Sequence, residues 1–187
     1  MMRSFLELAQ ERQSDRAFIP EKRIERDVLE RIVEAARLAP SACNGQPWHF
    51  TVVTDVAALP EYAKAVASLG MNKFVKDAAA LVLITHEPTN ITSRLGCGIK
   101  DKDFPMMDLG IATAYMTLAA EDEGVGSCIL GWFDEKRVKE LAAIPQNDVL
   151  CLLWLLAIRQ IISARRCVRS GIKLCRLRNI DIYARNC

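Results

Sequence analysis

The feature that most constrains how this chain can fold is the string Ala-Pro-Ser-Ala-Cys-Asn-Gly-Gln-Pro-Trp at positions 39–48. An amphipathic helix precedes it and a strand over 49–54 follows. Two prolines, a glycine and three short polar side chains cannot prolong a helix, so the backbone turns here. The turn sets Ser41, Asn44 and Gln46, with exposed peptide groups, between two rigid elements. That arrangement suits hydrogen bonding to a flat ligand with polar edges. The competing interpretation is a plain helix-to-strand connection whose Asn and Gln satisfy their own backbone.

Around this turn the pattern alternates between helix and strand. A first helix is expected over 2–13. A second opens at Asp27 with Glu30 at capping-box spacing and carries the stripe Val28, Leu29, Ile32, Val33 and Ala36. A helix over 59–68 precedes a strand over 78–85, apolar enough to be covered on both faces. Residues 87–103 form a polar, Gly-containing loop long enough to be a lid. The helix over 108–123 is apolar around most of its circumference, so it belongs at the centre of a molecule or at a subunit interface. A Gly-bounded strand over 124–131, a surface helix over 135–143 stopped by Pro145, and a strand over 149–158 complete the order. No repeat interrupts it, which implies an α/β or α+β fold with a central sheet.

With 187 residues, 51% apolar and 26% charged, the chain has the composition of one soluble globular domain. Residues 1–14 lack a secretory apolar run, and 149–158 is too short to cross a bilayer, so a cytoplasmic protein is expected. None of the seven cysteines forms a CxxC pair, which supports neither a zinc site nor a disulfide framework. The net charge of +2 is uneven: residues 159–187 hold seven Arg and one Lys against one Asp.

Three segments carry chemistry. In Arg12-x-Ser14-x-Arg16, two guanidiniums and a hydroxyl occupy alternate positions. An extended segment points them one way, as a phosphate requires; a solvated charged loop is the alternative. Residues 124–131 (Gly-Val-Gly-Ser-Cys-Ile-Leu-Gly) offer peptide groups that a ligand can approach, or a tight turn entering a buried strand. They are not a GxGxxG fingerprint, since the strand–loop–helix order is missing. His49 and His86 have no nucleophile pattern around them and read as structural. Trp132–Phe133 is either a stacking wall or, the favoured reading, core packing.

Together these segments resemble the FMN-dependent nitroreductase family. The resemblance rests on Arg12-Gln-Ser-Asp-Arg16, the 39–48 string, Asp108-Leu-Gly110 with its alanine-rich helix, 124–131, and Ile144-Pro145, in the family's order over residues 3–150. It implies a three-layer α+β fold with a central, mostly antiparallel sheet flanked by helices, and an intertwined homodimer with FMN at the subunit interface. It implies that Arg12, Ser14 and Arg16 hold the phosphate and reach the pyrimidine edge. Pro40, Ser41, Asn44 and Gln46 would border the flavin or ribityl chain, and peptide groups at Ile129, Leu130 and Gly131 would approach N5. The implied reaction is ping-pong hydride transfer from NAD(P)H, through flavin N5, to a nitroaromatic, quinone or similar flat acceptor. The flavin carries the chemistry, so no catalytic side chain is assigned, and no metal, membrane or nucleic-acid partner is expected. Another reduction on the same scaffold (dehalogenation, enoyl reduction) and a non-catalytic flavin binder are the alternatives.

The resemblance stops at the C-terminus. Family members follow the last core strand with a Gly-Tyr-Pro turn and a proline-containing extension; this chain has no proline after Pro145. Permitted codons read from the third base of Trp154 give Ala-Ile-Gly-Tyr-Pro-Ala-Asp-Asn-Ile-Arg-Pro, in register with the missing tail. The sequence therefore divides into a nitroreductase-like FMN-binding domain, 1–158, and an atypical basic tail, 159–187, read as a frameshift product.

Overall fold

The computed structural model describes residues 3–20, 22–87, 103–146 and 149–157. Its helices are α1 (Phe5–Glu11), α2 (Arg26–Arg37), α3 (Leu59–Val66), α4 (Phe104–Asp122) and α5 (Glu135–Leu141). Its strands are β1 (Trp48–Val53), β2 (Ala80–His86), β3 (Gly126–Leu130) and β4 (Val149–Ala157). The strands form one sheet in the order β1-β2-β4-β3, with every neighbouring pair antiparallel.

β2 shows why the molecule has three layers. Side chains alternate across a strand, so Leu81 and Leu83 enter one apolar cluster while Ala80, Val82 and Ile84 enter another. The first cluster joins Tyr62 and Val66 of α3 to Val138 of α5. The second joins Leu29, Ile32 and Ala36 of α2 to Leu109, Ala112 and Met116 of α4. Every described residue of β2 up to Thr85 is buried, as its unbroken apolar run requires. The fold is the α+β architecture expected.

Element ends differ in instructive ways. α1 is shorter than 2–13. Ser4 caps its start: Ser4 Oγ accepts from the Glu7 amide, and the Glu7 carboxylate accepts from Ser4 N–H; its end falls at Glu11, with Arg12 as C-cap. The expected capping box at Asp27 is absent. α2 starts one residue earlier with Glu25 as an N-cap that makes no side-chain bond, and Asp27 accepts instead from Arg31 one turn on, at 2.7 Å. Of its stripe, Leu29, Ile32 and Ala36 are fully buried, and Val28 and Val33 only partly. Gly124, at φ +72°, closes α4, with the amides of Gly124 and Val125 returning to Glu121 and Ala120. The lid expected over 87–103 falls, beyond Glu87 and short of Asp103, outside the described residues, as does the tail beyond Ala157.

Among the described residues, one face of α4 stands exposed and apolar. Met107, Ile111 and Tyr115, four residues apart, are 55%, 38% and 43% exposed. Residues at that spacing share a helix face. The opposite face, with Leu109, Ala112 and Met116, lies in the core.

Candidate functional site

The 12–16 segment is extended and alternates as its spacing predicts. Ser14 and Arg16 are exposed, whereas Asp15 between them is buried. Arg12 is partly buried, and Arg16 donates back to the Ser14 carbonyl at 3.3 Å. The segment lies along the outer edge of β3. Asp15 N–H donates to the Ser127 carbonyl at 2.8 Å, and the Asp15 carboxylate accepts the Ser127 amide at 3.3 Å. Arg16 is close enough to Cys128 to pull its thiol pKa down, but burial outweighs that and holds the thiol above its ordinary range.

Further along β3 the strand opens outward. Ile129 and Gly131 are exposed while Leu130 enters the core. A Cβ built on Gly131 meets no protein atom within 4 Å, so the backbone there faces open space. The other glycines of 124–131 have different duties: Gly124 ends a helix, and Gly126 is buried and pairs with Ala157. Trp132 is a correction. It is 56% exposed, not packed in the core, and Asn72 donates to its carbonyl at 2.8 Å. Phe133 does pack against the core.

The 40–46 turn is strained and held from several sides. Cys43, Asn44 and Gln46 all have positive φ (51°, 52° and 43°). Asn tolerates that region; Cys and Gln do so at a cost of about 1–2 kcal/mol each. The Asp108 carboxylate, buried in the first turns of α4, accepts the Ala42 amide at 3.0 Å. Ser41 Oγ accepts the Gln46 amide at 3.0 Å, and Gln46 Nε2 donates to Asn44 Oδ1 at 3.0 Å. These polar groups do satisfy one another, yet Pro40, Asn44 and Gln46 stay exposed and Ser41 partly so. Strain kept at an exposed, polar turn is a mark of pre-organisation for a ligand.

Within one chain these pieces form two banks. The 12–16 segment lies along β3, and residues 129–131 run out of its end. The 40–46 turn enters β1, on the opposite edge of the sheet. Its anchor Asp108 and the Glu121 end of α4 are separated by roughly 20 Å at 1.5 Å per helical residue. One chain alone does not bring the two banks together. His49 and His86 take no part in either: His49 Nδ1 lies 3.1 Å from Glu87 at the surface, and His86 ends β2. Sequence reasoning assigned no role to Asp15 or Asp108. The signal was present in each, an acid in the inward phase of an extended segment and an acid in the apolar first turns of a helix.

The fold and the two banks define a three-layer α+β protein, and comparison with known proteins gives its family. The profile of the Nitroreductase family matches residues 9–155. A relative from Archaeoglobus fulgidus, provisionally named NADH dehydrogenase/NAD(P)H nitroreductase, is 31% identical over 153 residues, covering 80% of this chain and 82% of its own. A solved nitroreductase family protein from Clostridium novyi superposes with a TM-score of 0.72 at 26% identity, covering 84% and 86% of the two chains. A solved FMN-dependent nitroreductase from Clostridium difficile shares the fold, with a TM-score of 0.70 at 22% identity over 87% and 92%. The chain belongs to the nitroreductase family.

Proposed function

We propose that this protein is an FMN-dependent oxidoreductase, working as a cytoplasmic homodimer, that oxidises NAD(P)H and reduces a nitroaromatic, quinone or similar flat acceptor. The observation that carries the reading is the split of the ligand-facing groups into two pre-organised banks beside an apolar, uncovered face of α4. In the proposed dimer, two copies join through that face, and one copy's 40–46 turn would lie opposite the other's 12–16 segment. Family membership and the NAD(P)H and FMN names of its relatives support the same assignment.

The residues fit FMN. The outward Ser14 and Arg16, with Arg12, supply the charge and hydroxyl that a phosphate needs. Open space at Gly131 leaves room for a ring against the exposed Ile129 and Gly131. When bound, FMN supplies hydride acceptance from the nicotinamide and hydride delivery to the acceptor. The chain's part is to bind, orient and tune. Arg16 places a permanent cation that favours the more electron-rich state of the ring. Pro40, Ser41, Asn44 and Gln46 would border the flavin or its ribityl chain, partly from the partner copy, and their strained turn would keep that border fixed. No side chain is asked to move a proton in the hydride step.

An absorbance spectrum of the isolated protein tests this reading. Yellow protein that bleaches with NADH or NADPH and recolours with a nitroaromatic or quinone is the expected result. Colourless protein that takes up no added FMN refutes it, and colour without bleaching leaves only a flavin binder.

We further propose that the chain divides at residue 158 and that the basic tail arises from a frameshift just before Trp154. The family match ending at residue 155 supports this. The coding DNA decides it: codons incompatible with the Gly-Tyr-Pro reading remove the idea.

A further inference from the structure

We infer that Asp15 is the positioning residue that locks the 12–16 segment in register on β3, and so fixes the spacing between the phosphate-facing cations and the exposed Ile129 and Gly131. The inference rests on the FMN reading above. β3 is an edge strand, and its outer N–H and C=O groups need partners. Asp15 alone meets both groups of Ser127: its amide donates to the carbonyl at 2.8 Å, and its carboxylate accepts the amide at 3.3 Å. The side chain does what the carbonyl of a neighbouring strand would otherwise do. Gln13 Nε2 donates to the other carboxylate oxygen at 3.0 Å and holds the group in place.

Register matters because side chains alternate along an extended segment. With Asp15 turned in, at 5% exposure, Ser14 and Arg16 face out. A slip of one residue would turn Ser14 and Arg16 toward the protein and present Gln13, Asp15 and Ala17 instead. That surface has no cation and no hydroxyl. A carboxylate resists the slip well, since a charge-assisted bond is about twice as strong as a neutral one and an unpaired buried carboxylate is costly. Asp15 need not touch the ligand to decide whether the ligand's partners face it.

FMN titration of apoprotein, followed by quenching of flavin fluorescence, tests this with D15A and D15N beside the wild type. Amide hydrogen exchange around Ser127 is read in the same apoproteins. D15A is expected to raise the FMN Kd at least tenfold and to speed exchange at Ser127. D15N, whose amide oxygen still accepts the Ser127 N–H but without the charge, is expected to fall between wild type and D15A. A purely structural Asp would move thermal stability and leave FMN affinity alone. If D15A does not fold, D15E carries the test, because it keeps the charge but sets the oxygens one methylene too far. Wild-type affinity in D15A, or in D15E where D15A does not fold, overturns the inference while leaving the FMN reading intact, and so does D15N as weak as D15A. Wild-type protein that takes up no FMN overturns both.

Discussion

Replacing Ile111 with Glu probes the step on which the proposed site depends, the pairing of two chains through α4. Ile111 is 38% exposed in one chain and sits between Met107 and Tyr115 on the uncovered face. Full burial of an isoleucine side chain is worth about 1.5–3 kcal/mol, so covering its exposed part on pairing contributes about 1 kcal/mol. The substitution also leaves a carboxylate without a partner in the interface, at about 3–5 kcal/mol. A two-fold interface doubles every change. The total is about 8–12 kcal/mol, at least five decades in dimer dissociation constant at about 1.4 kcal/mol per decade. Sedimentation equilibrium at micromolar protein should therefore show a wild-type dimer and an I111E monomer. The monomer should keep its far-UV circular dichroism, because the opposite face of α4 carries the core contacts. It should also lose FMN, since it no longer has a partner's 40–46 turn. A yellow, dimeric I111E protein would refute the reasoning, as would a monomeric wild type saturated with FMN.

Three further outcomes follow from the same geometry. D108A removes the acceptor of the Ala42 amide, a charge-assisted bond worth about 1.5–3 kcal/mol. FMN titration should show Kd rising about tenfold to a hundredfold, with D108N much closer to wild type; equal affinity for D108A would show that the strained turn holds itself. In native protein, thiol alkylation followed by peptide mass analysis should label exposed Cys43 quickly and Cys128 only on unfolding, because burial keeps that thiol protonated. Bound FMN should slow the labelling of Cys43. The hydrogen bond from Arg31 holds the Glu123 carboxyl below its ordinary range. Its stabilisation is thus present above the unfolded carboxylate range and is lost as pH falls through the folded value. The stability gap between wild type and E123Q, measured by urea unfolding, should be open at neutral pH and close in acid. A gap that widened in acid would reverse the assigned sign.

Much of the fold was legible because local chemistry and tertiary structure agree. The apolar run of β2 demanded cover on both faces and has it. The 39–48 string had to break the helix, and the alternation of Ser14, Asp15 and Arg16 survives intact. Less legible was anything decided by a distant partner. The capping box read at Asp27 lost to an Arg31 one turn along that also reaches Glu123. Trp132 reads as core by its type, yet it follows Gly131 out of β3 into the open.

The sequence by itself determined the elements, the turn and the outward pair of Ser14 and Arg16, since these depend on spacing of 2 or 3.6 residues and on backbone dihedrals. Only the tertiary structure decided that β1 and β3 occupy opposite edges of the sheet, and that one chain therefore supplies two separate banks. It alone chose Asp15 and Asp108 as the groups that hold those banks, 112 and 66 residues along the chain from the amides they meet. A hydrogen bond between such distant positions leaves no period in the sequence. It exists only once the sheet and α4 have closed around it.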